Sequence, residues 1–290
     1  MYDISAIYEA TSVAHAVELL VAHPKARIIA GGSDVLIQLR EGKLAGAELV
    51  SIFALDELRG VSMDPEGLLR IGSLTSFSHI TRDPLIQRHM PVLGEAVDQV
   101  GGPQIRNIGT IGGNTCNGVT SADSASTLFA FDAIIELTGP EGVRRLPIQD
   151  FYIKAGVVDL RPGELQTGIL IPRAAYEGYT GHYIKYAMRA AMDIATTGCS
   201  VNVKLSKDKQ SIEDARIAYG VAGPVPMRAK TAEAVARGQA VSEATVKAFA
   251  AAVENDINPR DSWRASREFR LHIAKEMAGR ALTTSIRLSG

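Results

Sequence analysis

The chain has 290 residues, of which 46% are apolar and 22% charged, and its formal net charge is −1 at pH 7. This length leaves room for two domains, and the composition is that of an ordinary globular protein. Because the charge is nearly balanced, the chain has no broad basic field to hold nucleic acid or an anionic membrane, and we expect neither as a partner.

The N-terminal segment MYDISAIYEA has no basic start followed by an apolar run, so it does not predict a secretory signal. No stretch of the sequence approaches the ~20 consecutive apolar residues that cross a bilayer. We therefore expect a cytoplasmic protein.

Helix and strand signals alternate in the first quarter of the chain. Ser12 is expected to cap a helix that runs to residue 20. Strands are expected over residues 27–30 and 48–52, with a Gly-Gly turn and a helix over 33–39 between them. This pattern predicts a small α/β lobe over about residues 1–55.

The following lobe, about residues 56–176, mixes hairpins with helices. Asp-Pro-Glu-Gly at 64–67 is a strong turn signal between two short strands. The stretch 101–117 is rich in Gly and Asn without helical periodicity, so we expect an open loop there. Strands are expected over residues 61–63, 68–72, 134–138, 143–147 and 169–171, and helices from Thr75 or Ser76, over 91–100 and over 122–131.

The pattern loosens around residues 172–181, where we place a boundary between domains of 1–176 and 177–290. Three antiparallel strands are expected beyond it, over residues 183–189, 199–205 and 215–221. Helices follow over 242–254 and 266–285. A sheet followed by helices predicts an α+β C-terminal domain.

A first candidate site is the segment Arg27-Ile28-Ile29-Ala30-Gly31-Gly32-Ser33-Asp34. A strand enters a double-glycine turn, and a helix leaves with hydroxyl and carboxylate residues at its start. Glycines let consecutive backbone amides face a ligand, and a helix start adds partial positive charge, which together suit a pyrophosphate. The alternative is an ordinary strand-turn-helix in which Ser33 caps the helix.

A second candidate site is Gly109-Thr110-Ile111-Gly112-Gly113-Asn114. So many glycines are costly in conformational entropy, and a ligand that satisfies the backbone donors would offset that cost. The alternative is a wide surface loop. Neither loop has the Rossmann or Walker spacing. Two Gly-Gly loops about eighty residues apart suggest a dinucleotide clamped between two lobes.

The side chains offer no support for a metal centre. Cys116 and Cys199 are the two cysteines, whereas an iron–sulfur cluster usually takes four, and structural zinc needs further ligands at suitable spacing. The six histidines form no H-x-x-x-H pair. We expect packed, reduced thiols, no metal ligand and no catalytic triad in this chain.

The two loops together resemble a known family. AGGSDVL at 30–36 and TIGGN at 110–114 are similar to the FAD-binding fold of the vanillyl-alcohol-oxidase type, and more closely to flavin subunits of molybdenum hydroxylases such as bacterial xanthine dehydrogenase and carbon monoxide dehydrogenase. GPQIRNIGTIGGNTCNGVTSADS at 102–124, YIKYAMRAAMDIATTG at 183–198 and SWRASREFRLHI at 262–273 resemble the xanthine dehydrogenase flavin subunit in particular.

The resemblance implies a fold and a set of cofactor residues. The fold is α+β, with a two-lobed FAD-binding domain followed by an α+β C-terminal domain. Gly31, Gly32 and Ser33 would lie against the pyrophosphate, Asp123 would contact FAD, and Lys185 would lie near the flavin. Val100 and Gln166 depart from the family's aromatic and apolar residues. The full set is Arg27, Ile28, Ile29, Ala30, Gly31, Gly32, Ser33, Asp34, Thr110, Ile111, Gly112, Gly113, Asn114, Asp123 and Lys185.

Some of these residues also have purely structural interpretations. Asp123 could merely begin the helix over 122–131, where a carboxylate is favoured. Lys185 could belong to a solvated basic strand edge. Asp193 could pair with Arg189 and be structural.

The resemblance also implies a function. FAD would be bound without a covalent bond, because Ser33 stands where covalent-flavin relatives have histidine. Electrons would reach it from [2Fe–2S] clusters of a small subunit, supplied by a molybdopterin centre on a large subunit. They would leave to NAD or another acceptor, in a dimer of heterotrimers that hydroxylates a purine. The alternatives are a related carbon monoxide, aldehyde or N-heterocycle dehydrogenase, a stand-alone FAD reductase of the same fold, and a phosphate-binding module without redox chemistry.

Overall fold

The computed structural model describes residues 2–290, and its first lobe is a small parallel sheet with two helices. The strand order is β1-β3-β2, and both pairs are parallel. Ser12 caps the first helix, accepting a bond from the His15 amide at 3.1 Å, as predicted. The elements are β1 (Ile4–Glu9), α1 (Val13–Ala22), β2 (Arg27–Ile29), α2 (Val35–Arg40) and β3 (Ala47–Ser51).

The second lobe is built on a five-stranded antiparallel sheet of order β4-β5-β10-β6-β7. Both predicted hairpins are present. The sheet strands are β4 (Val61–Met63), β5 (Leu69–Gly72), β6 (Ile134–Gly139), β7 (Gly142–Pro147) and β10 (Leu165–Ile171), and β8 (Tyr152–Lys154) pairs with β9 (Val157–Val158). The helices are α3 (Phe77–Arg82), α4 (Pro84–His89), α5 (Pro91–Val97), α6 (Pro103–Ile108), α7 (Ile111–Cys116), α8 (Asp123–Ala130), α9 (Ile148–Phe151) and α10 (Arg173–Tyr176).

The open loop expected over 101–117 is wrong, because α6 and α7 occupy most of it. Each helix has six residues, which is less than two turns, so neither can show a hydrophobic period. Local signals define them instead. Pro103 stands in the first turn of α6, and the Thr110 side chain caps α7.

The C-terminal part has a four-stranded antiparallel sheet of order β11-β12-β13-β14, covered by helices. The three predicted strands and both predicted helices are confirmed. The first strand ends at Tyr186, however, and residues 187–194 form a loop. The elements are β11 (Thr180–Tyr186), β12 (Thr197–Leu205), β13 (Ile212–Gly220), β14 (Met227–Arg228), α11 (Lys230–Ala236), α12 (Glu243–Ala252) and α13 (Arg267–Leu288).

Three apolar cores hold these layers, one in each lobe and one under the C-terminal sheet. The second-lobe core also includes Tyr183 and Ala218 from the C-terminal sheet, so the two parts share buried surface. The Asp132 carboxylate adds a polar tie, since it pairs with Arg228 and, at 3.3 Å, with Arg216. The C-terminal sheet is therefore fixed against the second lobe.

Two further observations bear on function. Among residues 2–290, no helix is both long and apolar enough to cross a membrane. The same residues contain no group of three or more His, Cys, Asp or Glu side chains that could hold a metal ion.

Candidate functional site

The first predicted loop lies between β2 and α2 and has unpaired donors. Within the described chain, the backbone amides of residues 31–34 donate to no protein acceptor. Gly32 has a φ of +75°, a left-handed conformation that favours glycine. The Ser33 hydroxyl is buried without a partner, and the residue before α2 is Asp34, so Ser33 does not cap that helix. The structure therefore contradicts the helix-cap interpretation of Ser33.

The first loop touches the approach to the second loop at Gly31. A Cβ added to Gly31 would lie 1.8 Å from the carbonyl oxygen of Ile108, at the end of α6. No side chain fits at that distance, so the backbones of the two segments are in direct contact. Thr110 follows two residues later, which brings both predicted glycine loops to one place between the lobes.

The second loop is the start of α7, and the amides of residues 111–114 are already paired. Thr110 Oγ1 accepts from the Gly113 amide at 3.2 Å, while the Ile111 and Gly112 amides donate to Thr75 and Ser73 carbonyls at 3.0 and 2.8 Å. The expectation that a ligand satisfies the backbone donors is therefore wrong for these residues. Gly112 is needed for packing, because an added Cβ would lie 2.6 Å from Ser73 Cβ.

A chain of side-chain contacts leads from α7 to the C-terminal sheet. Asn114 Oδ1 accepts a hydrogen bond from the Ser124 hydroxyl at 2.6 Å. The preceding residue, Asp123, begins α8 and is buried. Its Oδ1 accepts from the Tyr183 hydroxyl at 2.7 Å, and its Oδ2 from Lys185 Nζ at 2.8 Å. Five residues from three elements thus form one chain of polar contacts.

The solvated strand edge proposed for Lys185 is wrong. Its side chain is only 8% exposed, and Nζ also donates to the Gln99 carbonyl at 2.9 Å. Asp123 likewise does more than begin a helix, since it is one half of this buried ion pair. Burial raises the pKa of Asp123 above its usual value, while the Lys185 ammonium and the Tyr183 hydroxyl act in the opposite direction.

Lys185 lines a cleft of ≈ 500 Å³ between the segment over 98–106, which includes the start of α6, and the loop over 187–193. Asp193 holds that loop, accepting from the Met188, Arg189 and Ile194 amides at 2.9 to 3.0 Å. Asp193 and Arg189 are also 3.7 Å apart, so the structural interpretation of this pair is supported. Arg189 itself is 68% exposed at the cleft.

Sequence reasoning missed Tyr183, Gln99 and the pairing of Gln166. Tyr183 stands two residues before Lys185 on the same face of β11, and this spacing was the available signal. Gln166 is buried, and its Oε1 accepts from Thr115 Oγ1 at 2.8 Å, so it contacts α7. The thiols are as expected: Cys116 and Cys199 are both free, and burial raises the pKa of each to about 12.

Comparison with known proteins assigns this architecture to a family. Residues 2–174 match the model of the FAD binding domain in molybdopterin dehydrogenase, and residues 182–285 that of the CO dehydrogenase flavoprotein C-terminal domain. The chain is 41% identical over 290 residues to the xanthine dehydrogenase FAD-binding subunit of Escherichia coli O157:H7, covering 100% of this chain and 99% of that one. It is 30% identical over 272 residues to the glyceraldehyde dehydrogenase medium chain of Sulfolobus acidocaldarius, covering 94% and 95%.

The fold is also found in a solved structure. A chain of carbon monoxide dehydrogenase from Hydrogenophaga pseudoflava, in a form lacking the Mo-pyranopterin moiety of the molybdenum cofactor, matches with a TM-score of 0.92 and 29% identity, covering 98% of both chains. This confirms the predicted class, an FAD-binding domain followed by an α+β domain. The chain therefore belongs to the flavoproteins of the molybdenum hydroxylase family, as an FAD-binding oxidoreductase subunit close to that of bacterial xanthine dehydrogenase.

Proposed function

We propose that this chain binds FAD without a covalent bond and serves as the electron-transfer subunit of a cytoplasmic molybdenum hydroxylase complex. The observation that carries the proposal is the loop over 31–34, where four consecutive amides and the buried Ser33 hydroxyl have no acceptor or partner in the described chain. A row of unpaired amides with a positive-φ glycine is a common binding site for anionic oxygens. These residues fit a pyrophosphate.

The proposed cofactor residues have different tasks. Within the segment from Arg27 to Asp34, the amides of residues 31–34 and the Ser33 hydroxyl would hold the phosphates. In the second loop, Thr110–Asn114, the amides of residues 111–114 are paired, so the loop would contribute side chains and close backbone approach at Gly113, which is exposed. Asp123 and Lys185 would lie towards the ring end of the site.

Bound FAD would supply reversible two-electron redox chemistry, which no side chain of this chain provides. The protein's part is to bind, orient and shield. Lys185 lies where a positive charge faces the ≈ 500 Å³ cleft, which is open to solvent along the loop over 187–193. We propose this cleft as the route by which an electron acceptor approaches, with NAD as that acceptor.

The remaining parts of the proposal concern partners. A large subunit would carry molybdopterin and a small subunit the [2Fe–2S] clusters, assembled as a dimer of heterotrimers, with a purine as substrate. The identity to a xanthine dehydrogenase subunit supports this. A related hydroxylase is the second candidate, favoured by the identity to a glyceraldehyde dehydrogenase medium chain.

We also propose the domain bounds 1–176 and 177–290, which the family matches over 2–174 and 182–285 support.

The test is purification of the chain alone and with its native partners. The chain alone should carry FAD that acid or heat releases completely, and it should not hydroxylate xanthine. The native complex should contain molybdenum and iron and should turn over xanthine. Flavin that stays attached to denatured protein would disprove non-covalent binding. A colourless chain that takes up no added FAD would overturn the cofactor proposal itself.

A further inference from the structure

Tyr183 is fully enclosed where the C-terminal sheet meets the second lobe. Its hydroxyl donates to Asp123 Oδ1 at 2.7 Å, while Lys185 Nζ donates to Asp123 Oδ2 at 2.8 Å. Tyr183 and Lys185 are two residues apart on β11, so both side chains leave the same face of the strand. Both oxygens of the Asp123 carboxylate, in the second lobe, thus accept hydrogen bonds from one strand of the C-terminal sheet.

Both hydrogen bonds restrict the rotation of the Asp123 carboxylate about its Cβ–Cγ bond. A carboxylate held at one oxygen can still turn about its Cβ–Cγ bond, whereas a second donor on the other oxygen fixes the plane. With Oδ1 fixed by the tyrosine, Oδ2 points at Lys185. The ammonium is then held between this oxygen and the Gln99 carbonyl, 2.9 Å away, at the wall of the cleft.

The C-terminal sheet has room for the Tyr183 hydroxyl because the residue beside it, on β12, is a glycine. Gly198 of β12 pairs with Lys185 in the antiparallel register. A Cβ added to Gly198 would lie 2.8 Å from Tyr183 Oη, so a larger residue would displace the hydroxyl. The Tyr183 amide also donates to Glu95 of α5 at 3.2 Å, which fixes the strand against the second lobe.

The charged and titratable groups around Asp123 and Tyr183 come from three elements. Lys185 and Tyr183 face Asp123 from β11, Cys199 lies behind Tyr183 on β12, and Glu95 faces it from α5. Among these groups Lys185 is the cation next to Asp123. The orientation of the carboxylate therefore decides where that positive charge sits.

We infer that Tyr183 is a positioning residue, which through the Asp123 carboxylate fixes the Lys185 ammonium at the cleft and so sets the electrostatic environment of the flavin. The inference rests on the proposed function, because it requires FAD in this site. It assigns Tyr183 a role although its hydroxyl is not exposed to the cleft.

The test is the midpoint potential of bound FAD in Tyr183→Phe, in Lys185→Met and in the double variant. If the Lys185 ammonium is held less firmly, it should stabilise the more negatively charged, reduced FAD less. Tyr183→Phe should therefore lower the ratio of reduced to oxidised FAD about threefold at a fixed solution potential, the order expected for one hydrogen bond. In the Lys185→Met background the same substitution should have no further effect, because the group it positions is gone.

Tyr219→Phe is the matched control. Tyr219 is equally buried, and its hydroxyl donates to the Ala274 carbonyl at 2.7 Å, inside the C-terminal part. Tyr219→Phe should lower thermal stability about as much as Tyr183→Phe does, but it should leave the midpoint potential of bound FAD unchanged. Gly198→Ala is a second probe that moves the hydroxyl without removing it, and it should lower the potential as Tyr183→Phe does.

Three results would decide against the inference. The potential of Tyr183→Phe could equal that of the unsubstituted chain, it could shift by the same amount with and without Lys185, or Tyr219→Phe could shift it equally. Should Tyr183→Phe not fold, the same comparison with Gly198→Ala decides. If the unsubstituted chain binds no FAD, the proposed function fails instead, and the two failures are distinguishable at the first measurement.

Discussion

Gly31 is the residue at which the two candidate loops meet, and hydrogen is the only substituent that fits there. An added Cβ would lie 1.8 Å from the Ile108 carbonyl oxygen. We predict that Gly31→Ala separates the loops and weakens FAD binding about tenfold or more, the affinity equivalent of a typical overpacking cost. Flavin absorbance per protein and titration with added FAD measure this.

The control for Gly31→Ala is a glycine of the same lobe outside the site. Gly42 has a φ of +76° and no atom within 4 Å of an added Cβ. Gly42→Ala should cost about 1–2 kcal/mol of stability through its backbone conformation and leave FAD affinity unchanged. Equal FAD affinity in the Gly31→Ala variant would mean that the contact between the loops is not needed for binding.

The buried ion pair of Lys185 with Asp123 should contribute to stability, apart from the role proposed for Lys185 near the flavin. Lys185→Met would leave the Asp123 carboxylate buried without its cation, which typically costs about 3–5 kcal/mol. Asp123→Asn combined with Lys185→Met should recover most of that loss. Denaturant unfolding measures both, and Lys204→Met, which breaks an exposed pair with Glu213, should cost under about 1 kcal/mol.

The pH dependence of the Lys185→Met variant has a definite sign. Burial already raises the pKa of Asp123, and loss of the neighbouring ammonium raises it further. Between the unfolded and the folded pKa, the folded chain therefore holds a proton that the unfolded chain has lost, and stability falls as pH rises. The stability deficit should be smaller at pH 5 than at pH 8. A deficit that grows on acidification would show that Asp123 does not carry it.

At the level of elements, α7 is tied to β10 by Gln166. Its Oε1 accepts from Thr115 Oγ1 at 2.8 Å, but its Nε2 is buried without a partner in the described chain. Thr115 Oγ1 also lies 3.1 Å from the Ile111 and Gly112 carbonyls, so its hydroxyl has other acceptors.

We therefore predict that Gln166→Leu changes the free energy of unfolding by less than about 1 kcal/mol, or stabilises the chain, because it removes an unsatisfied amide. Gln166→Ala should instead cost about 2 kcal/mol or more through the cavity it leaves. Urea unfolding of both variants provides the comparison. A loss above about 2 kcal/mol in Gln166→Leu would indicate that Nε2 has a partner, such as an internal water.

Elements with strong local signals could be predicted from the sequence. The Ser12 cap, the hairpin turn at 64–67 and the start of the last helix at residue 266 each depend on residues within a few positions of one another. The short helices α6 and α7 could not be found by periodicity. The strand expected over 183–189 ends three residues early, at Tyr186, because the Asp193 side chain holds the following backbone in a loop.

In the candidate site, too, local features could be predicted from the sequence and contacts between distant residues could not. Both glycine loops could be located from consecutive residues. The Asp123–Tyr183 contact joins residues sixty positions apart, and its geometry depends on how β11 meets α8. No local pattern specifies the tyrosine's partner or the requirement for glycine at position 198. The pairing of the α7 amides with the turn at 73–75 is likewise a tertiary effect.

In the whole molecule, the C-terminal sheet forms one wall of the candidate site. Lys185 and the loop over 187–193 belong to the C-terminal part, while the segment over 98–106 and Asp123 belong to the second lobe. The Asp132 pairs with Arg216 and Arg228 hold the two parts together. The cleft proposed for the acceptor therefore depends on both parts being in place.

The composition of that cleft leads to a prediction about the acceptor. Arg106 is paired with Asp98 at 3.1 Å, so Arg189, 68% exposed and 3.7 Å from Asp193, is the arginine more available to an anionic acceptor such as NAD. After anaerobic reduction of bound FAD, we expect fast reoxidation by NAD. Arg189→Glu should slow the NAD reaction about tenfold through charge reversal and leave a neutral quinone unaffected. Arg280→Glu, exposed on α13, is the control and should change neither rate.

The comparison of acceptors separates two questions. Nicotinamide must lie flat on the flavin for hydride transfer, so orientation dominates its rate, whereas a quinone or ferredoxin can accept electrons with less geometric demand. If NAD does nothing and a quinone or ferredoxin reacts quickly, the acceptor assignment is wrong while the flavin-subunit assignment stands. If Arg189→Glu slows NAD and quinone equally, the substitution has altered the loop over 187–193 rather than an anion contact. Only a selective loss with NAD supports an acceptor site at the cleft.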